Sequence, residues 1–158
     1  MATTLKKTPS AQTVLAASFT WGYTTGGADG ATSDQMLNIN DVLTSFDVAT
    51  ASTPTFDVMT LPVGATVVGG GIYTEIAITS TATGLAVGDD SSASRYKSNT
   101  DIKPAANVAL VPTGYKLTQA RPIRLTFTNT SADQTLGRVK LTVLFTVDGR
   151  ATENLKTT

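Results

Sequence analysis

The amino-acid sequence predicts an all-β protein, an antiparallel jelly-roll-like β-sandwich with an extended N-terminal arm. Thr is the commonest residue, at 30 of 158 positions, and it alternates with Val, Ile, Leu and Phe along most of the chain. β-Branched residues suit the pleated, half-buried surface of a strand better than a helix. The apolar stretches are short and are separated by Gly, Asp and Pro, and none has a long helical period. Such a pattern is typical of sandwiches and jelly rolls.

The first strand is predicted in the stretch VLAASFTWGY, where every second side chain is apolar. Five of these side chains share one face: Leu15, Ala17, Phe19, Trp21 and Tyr23. We expect Trp21 and Tyr23 in the core, with an interface as the alternative, because large aromatics with a polar tip serve in both places. The next stretch, TTGGADGATSDQ, has the Gly and Asp content of an irregular loop.

The segment after this loop is open to two interpretations. Four apolar residues have the spacing of a helix that is capped at Ser33 or Asp34, namely Met36, Ile39, Leu43 and Phe46. The composition of DVLTSFDV equally permits an extended segment, so the sequence leaves helix and strand open here.

The stretch FDVMTLPVGATVVGGGIYTEIAITS predicts two strands that are separated by a turn at residues 62–64. The second strand contains three consecutive glycines at 69–71, followed by Ile72, Ile76 and Ile78. Glycines within a strand indicate a β-bulge or a sharp bend. Their spacing and context do not match a phosphate-binding loop.

Two further strands are predicted in RPIRLTFTNT and GRVKLTVLFTVDGR. In the first, Ile123, Leu125 and Phe127 face one way and alternate with Arg and Thr. In the second, five residues form the apolar face: Val139, Leu141, Val143, Phe145 and Val147. Leu144 is the one apolar residue on the opposite, polar side. The stretch NTSADQTLG has a suitable length to join the two strands as antiparallel neighbours.

Composition predicts one domain that works in an assembly. A chain of 158 residues can bury about 70% of its unfolded surface around a single core. Only 15% of its residues are charged, and twelve basic side chains balance twelve acidic ones. Since solubility usually draws on net charge, we expect the protein to cover surface in an oligomer. The Lys and Arg residues are scattered and form no basic face of the kind that binds nucleic acid. The sequence has no apolar run as long as a membrane span, and its first residues lack the apolar segment of a secretory signal.

The residue types argue against an enzyme. The chain has no His and no Cys, which removes the commonest general base and the commonest ligands for transition metals. No serine lies in a recognisable catalytic context, and the acids are too dispersed to nominate a glycosidase pair. We therefore expect no catalytic residue, no cofactor and no metal ligand.

The acidic pair Asp89 and Asp90 lies in the densest polar cluster, LAVGDDSSASRYKS. A Gly-Asp-Asp triplet is found at polymerase metal sites, but the large fold around such a site does not fit in this chain. Adjacent carboxylates on a strand also point to opposite faces, so they do not share one ion unless the backbone turns. A turn or loop role is the prediction, and a calcium loop is the alternative, here and around Asp29, Asp34 and Asn38.

The two ends of the chain are polar and have no period. The sequence predicts an N-terminal arm at 1–12, a sandwich domain at 13–150 and a C-terminal tail at 151–158. A cationic, Thr-rich segment either stays solvated or becomes ordered on a partner. The candidate interface residues on these segments are Leu5, Lys6, Lys7 and Leu155.

The region from about residue 54 to 150 resembles small tailed-phage virion proteins. The resemblance is carried by the Leu-Pro-x-Gly-Ala turn, the strand ending in Val-Gly-Asp, the nearby Arg-Tyr and the closing Gly-x-Val-x-Leu-x-Val strand. The family is that of capsid decoration or cement proteins, including those of cyanophages. The resemblance implies a jelly-roll-like homotrimer on the outer face of the virion head, made in the host cytoplasm, and no catalytic residue.

The resemblance also implies specific roles within the chain. Val87-Gly88-Asp89 and Arg95-Tyr96 would form a connecting element between strands, with Asp89 or Asp90 pairing with Arg95 to fix it. The two ends of the chain would contact the major capsid protein or sister protomers. Tail and fibre proteins share similar sandwiches, so the alternatives are a phage tail, fibre or receptor-binding module that recognises a host glycan, and a non-viral carbohydrate-binding or adhesive sandwich.

Overall fold

The computed structural model describes residues 13–24, 35–38, 55–77, 83–104, 106–129 and 136–148. Within these residues the chain forms nine strands and no helix, which confirms the all-β prediction. The strands are β1 Leu15–Thr24, β2 Gln35–Asn38, β3 Thr55–Leu61, β4 Ala65–Ile76, β5 Thr83–Asp89, β6 Ser92–Asp101, β7 Asn107–Ala109, β8 Arg121–Asn129 and β9 Leu136–Val147. None of the described elements is a helix long and apolar enough to cross a membrane.

The nine strands form two antiparallel sheets, in the orders β2-β1-β9-β4-β7 and β3-β8-β5-β6. Four of the pairings are nested along the chain, because β1 pairs with β9, β3 with β8, β4 with β7 and β5 with β6. The chain is thus one long double-stranded ribbon, which starts from the β1 and β9 pair and ends at the β5–β6 hairpin. Such a ribbon wrapped into two sheets is a jelly roll, as predicted, with β2 added at one edge.

The prediction that the last two long strands are sheet neighbours is wrong. β8 lies in the four-stranded sheet and β9 in the five-stranded sheet, so the two strands are not neighbours. The reason is that alternation of apolar and polar residues specifies which face of a strand is buried. It carries no information on which strand lies beside it.

The core lies between the two sheets and contains the predicted inward faces. Ile123, Leu125 and Phe127 of β8 are buried, and so are four of the five predicted residues of β9, namely Val139, Leu141, Val143 and Phe145. Val147 is partly buried against the same cluster. Trp21 is fully buried and meets Phe127 edge to face at 6.1 Å. The expectation that Trp21 is a core residue is therefore confirmed.

The glycine-rich stretch of β4 bends as predicted. After the 62–64 turn, where Gly64 has a φ of 79°, the register of β4 against β9 shifts between Val67 and Gly69. Gly70 has a φ of 125°, and a Cβ there would lie 2.1 Å from the carbonyl oxygen of Thr142. Only glycine fits so close to the neighbouring strand. Beyond this bulge, Ile72 is buried but Ile76 is exposed.

The four-stranded sheet has irregular register in both of its outer strands. In β3 the register against β8 shifts between Asp57 and Met59. In β6 the register against β5 shifts twice, so that β6 contributes more residues than β5 to the same length of ladder. Such extra residues bend a strand and increase its twist.

Several sequence predictions fall partly or wholly outside the described residues. Met36 lies in β2, which favours the extended alternative at that position. The helical alternative for 39–46, the arm at 1–12 and the tail at 151–158 lie outside the described ranges.

Candidate functional site

The polar cluster that stood out in the sequence lies at the β5–β6 hairpin, the end of the jelly-roll ribbon. β5 ends at Asp89 and β6 begins at Ser92, so Asp90 and Ser91 alone form the turn. The expected connecting element is thus shorter than the resemblance implied, because Val87, Gly88, Arg95 and Tyr96 all belong to strands. We call Asp89, Ser91, Arg95 and Tyr115 the tip cluster.

Asp89 is a carboxylate in a core-facing position. In the ladder with β8 it lies opposite Ile123, two residues beyond the core residue Val87, and its burial follows from this strand period. Its Oδ1 accepts hydrogen bonds from the backbone nitrogens of Ser91 and Ser92 at 2.9 and 2.8 Å. It also accepts one from the Ser91 hydroxyl at 2.8 Å. The residue is 1% exposed, so these bonds replace the water that burial removes.

Arg95 supplies the opposite charge. Its Nε donates to Oδ2 of Asp89 at 2.6 Å, and its second terminal nitrogen donates to the Ser91 hydroxyl at 2.7 Å. The predicted pairing of the acidic cluster with Arg95 is therefore confirmed for Asp89. Burial acts to raise the pKa of the Asp89 carboxyl, but the hydrogen bonds from Arg95, Ser91 and Ser92 outweigh it and hold the pKa below its ordinary value of 3.8.

Arg95 also joins the hairpin to a segment outside it. Its guanidinium carbon lies 3.7 Å from the ring centroid of Tyr115, in a cation–π contact. Tyr115 belongs to a segment that is bonded to the five-stranded sheet, since Leu110 donates to Gly70 at 3.0 Å and Leu117 donates to Ala65 at 2.8 Å. The tip cluster therefore ties an outer strand of one sheet to a segment held by the other.

The second acid of the pair has a different partner. Asp90 forms an ion pair with Arg121 of β8, and its side chain is 36% exposed. The two adjacent carboxylates therefore pair with two different arginines. Among the described residues no three acidic, His or Cys side chains come together as metal ligands. The calcium alternative gains no support at this hairpin; of the second candidate set, Asn38 lies in β2, and Asp29 and Asp34 lie outside the described residues.

Gly88 allows the hairpin to close. A Cβ at this position would lie 1.9 Å from the carbonyl oxygen of Ser92 and 2.4 Å from the carbonyl carbon of Ala93. These are backbone atoms of the irregular part of β6, and they cannot rotate away as a side chain can. The glycine before Asp89 is therefore a steric requirement of the turn.

Tyr96 follows Arg95 in β6 and is 1% exposed. Its hydroxyl has no hydrogen-bond partner among the described residues. Burial first, and the charge of Asp89 second, raise the pKa of Tyr96 to about 12. The tip cluster pairs the buried carboxylate of Asp89 with the guanidinium of Arg95 and stacks that guanidinium on Tyr115. Its chemistry is therefore that of a structural ion pair.

A second feature is the solvent-facing side of the five-stranded sheet, which we call the outer face. It is built mainly from small side chains on three adjacent strands: Ala16, Ser18, Thr20 and Gly22 of β1, Gly69 and Gly71 of β4, and Thr142 of β9. Leu144, the apolar exception of the β9 pattern, lies here. Its methyl carbon would be 3.7 Å from a Cβ on Gly69, so the missing side chain leaves room for it.

The candidate interface residues from the sequence, Leu5, Lys6, Lys7 and Leu155, lie outside the described residues. Sequence reasoning missed the roles of Tyr115 and Arg121. Arg121 precedes the alternating pattern of β8 and could have been proposed as a partner for an acid. Tyr115 lies in a segment without a period, so no pattern marks it.

Comparisons with known proteins find the fold but no family. No protein-family model matches the chain, and no curated protein matches it. A chain of the cyanophage Pam1 capsid asymmetric unit is similar in structure, with 18% identity and a TM-score of 0.58, over 93% of this chain and 94% of that one. A chain of the Ralstonia phage GP4 capsid has 14% identity and a TM-score of 0.57, over 92% of each chain.

A third similar chain comes from the acidic stable capsid structure of Helicobacter pylori bacteriophage KHP30. It has 13% identity and a TM-score of 0.50, over 87% of this chain and 94% of that one. At such identities the likeness is one of fold. It extends over nearly the whole length of both chains in each case.

Proposed function

We propose that this protein is a structural virion protein that binds the outer surface of a phage capsid as an oligomer and stabilises the mature head. The observation that carries the proposal is the near full-length likeness of fold to chains from three phage capsids. A match over part of the chain would be expected from any jelly roll. A match over about nine tenths of both chains favours a shared architecture of the whole sandwich.

The proposed partner is the major capsid protein, and the proposed oligomer is a trimer. Stabilisation would follow from mass action, because a protein that binds the expanded shell alone makes that state more stable. Three linked contacts gain avidity from effective concentration, even when each contact is weak. The contacts with the shell are assigned to the segments 1–12 and 151–158, with Leu5, Lys6, Lys7 and Leu155 as the candidate residues.

A contact between the two sheets supports a role in resisting mechanical load on the capsid. The two sheets are joined near the hairpin by Arg95, which binds Asp89 of one sheet and stacks on Tyr115 of a segment held by the other. A joint of this kind resists separation of the sheets. The balanced charge of the chain also suits close packing of many copies on one particle.

The proposal is tested by binding purified protein to particles of the phage that encodes it. We expect binding to empty expanded heads, little binding to procapsids, and a higher temperature of head rupture after binding. Absence of binding to both kinds of particle at micromolar concentration would overturn the proposal. Binding to host cells or host glycans instead would favour the receptor-binding alternative.

The assignment of the shell contact is tested separately by charge reversal. We expect Lys6→Glu combined with Lys7→Glu to weaken binding to expanded heads and to leave the fold unchanged. Lys97→Glu, a single reversal on β6 within the sandwich, is the control and should bind as the unmodified protein does. Equal binding by all three proteins would place the contact elsewhere on the chain.

A further inference from the structure

We infer that the outer face of the five-stranded sheet is the surface on which a second copy of this chain packs. The inference rests on the proposed function in one respect, namely that the protein works as an oligomer. It names a surface through which two copies pair; a contact between the same face on both copies is two-fold, so the trimer of the proposed function needs a further contact. Its support comes from the side chains, the size and the charge of that face.

The side chains of the outer face permit close approach. Ser18 and Thr142 are cross-strand neighbours whose hydroxyl oxygens lie 3.2 Å apart, and Gly71, which follows in the same row on β4, is covered by the side chain of Asn107. Ala16 and Leu144 form the next row. A face with such short side chains lets another sheet pack at about 10 Å, the spacing found inside sandwiches.

Several of the larger residues of the same face are apolar. Val68, in the β4 bulge, is 40% exposed, and Tyr73, opposite Lys140, is 51% exposed. Together with Ile76 and Leu144 they place apolar area around the small residues. Apolar groups gathered on one face of a soluble protein mark a contact surface more often than scattered ones do.

The area matches what a stable interface needs. Strands of 10 to 12 residues form the centre of this sheet, with the short β2 and β7 at the edges. At about 3.3 Å per residue and 4.8 Å between strands, the face measures on the order of 700 Å². A standard protein interface buries about 800 Å² on each partner.

Charge and shape favour a second copy over a different protein. Arg138 is paired with Glu75 at 3.0 Å on the same face, which leaves Lys140 as its one described charge without an ion pair. A face with so little charge selects its partner by shape. The shape is that of a twisted sheet, and a sheet of equal twist packs on it in the aligned manner. A copy of this chain supplies such a sheet.

The test is the mass of the full-length protein in solution, measured by sedimentation velocity over a range of concentrations. Thr142→Arg puts a long charged side chain at the middle of the outer face, and Ala16→Arg puts one in the neighbouring row. Each variant is compared with Thr60→Arg, at an exposed residue on β3 of the other sheet. Circular dichroism and thermal unfolding identify any variant that does not fold.

We expect the unmodified protein and Thr60→Arg to associate alike. The dissociation constant of Thr142→Arg and Ala16→Arg should rise by about 30-fold or more, as for a hot-spot residue. If Thr142→Arg does not fold, Ala16→Arg decides. The inference is overturned if the unmodified protein is a monomer at every concentration, or if the folded outer-face variants associate as well as the control.

Binding to expanded heads distinguishes this inference from the proposed function. If the protein associates through the outer face but does not bind heads, the face is correct and the capsid role is wrong. If it binds heads and its association is insensitive to both outer-face substitutions, the capsid role stands and the face is wrong.

Discussion

The Asp89 carboxylate receives the Nε hydrogen of Arg95 at 2.6 Å while only 1% of the Asp89 residue is exposed to solvent. This pair lies at the tip of the ribbon from which the jelly roll is built. Its loss is expected to lower the free energy of unfolding by more than the loss of an exposed ion pair nearby.

Replacement of Asp89 by Asn should destabilise the protein by about 2–4 kcal/mol, because a charged partner is removed from a buried pair and Arg95 is left uncompensated. Asp90→Asn is the matched control, since it removes the exposed carboxylate next to it and should change stability by about 1 kcal/mol or less. Urea unfolding of the two variants measures both values. Equal losses would show that burial does not determine the strength of this pair.

Acid should weaken the fold, in part through Asp89. Its pKa lies below the ordinary value of 3.8 in the folded protein, so its contribution is present above that value and is lost as the pH falls through the folded pKa. The pKa of Asp57 is also lowered, chiefly by its hydrogen bonds with Arg124, and it contributes in the same direction. Urea midpoints between neutral pH and about pH 2 should therefore fall less steeply in Asp89→Asn than in the unmodified protein. Parallel profiles would contradict this.

Substitution of Gly88 by Ala should destabilise the hairpin by about 3 kcal/mol or more, because the new methyl group would overlap the backbone of Ser92 and Ala93. Gly69→Ala is the control, since its nearest neighbour is a side-chain carbon of Leu144 at an ordinary 3.7 Å. Thermal unfolding measures both. A loss at Gly69 as large as that at Gly88 would argue against a steric cause.

Replacement of Arg95 by Lys should lower stability by about 1–3 kcal/mol although the charge is kept. Lysine lacks the planar group that stacks on Tyr115, and its single nitrogen cannot reproduce the fork that places one nitrogen on Asp89 and another on Ser91. Arg138→Lys is the control, because Arg138 is exposed and pairs with Glu75 at the surface. It should change stability by about 0.5 kcal/mol or less. A tolerated Arg95→Lys would mean that charge alone holds the tip.

The sequence predicted the buried faces of the long strands well. Period-two alternation identified Phe127 and Val143 as core residues, and the glycine run identified the bend in β4. These features depend on local chemistry, namely the pleat of a strand and the conformational range of glycine.

Features that depend on distant parts of the chain were predicted less well. The order of strands in the sheets did not follow from their periods, so β8 and β9 were wrongly placed as neighbours. The pairing of Arg95 with an acid of the hairpin was expected from the resemblance, which left Asp89 and Asp90 as alternatives. The contact of Arg95 with Tyr115 was not, because a loop residue gains its neighbours only when the ribbon has wrapped.

The irregular register of β3 and β6 has a consequence for the behaviour of the protein at high concentration. These two strands are the edge strands of the four-stranded sheet. A regular edge strand, with a row of unpaired backbone amides, is a template for strand addition from another molecule. Because both edge strands have bulges, they are poor templates for such addition. We therefore expect little growth of open-ended fibres through this sheet.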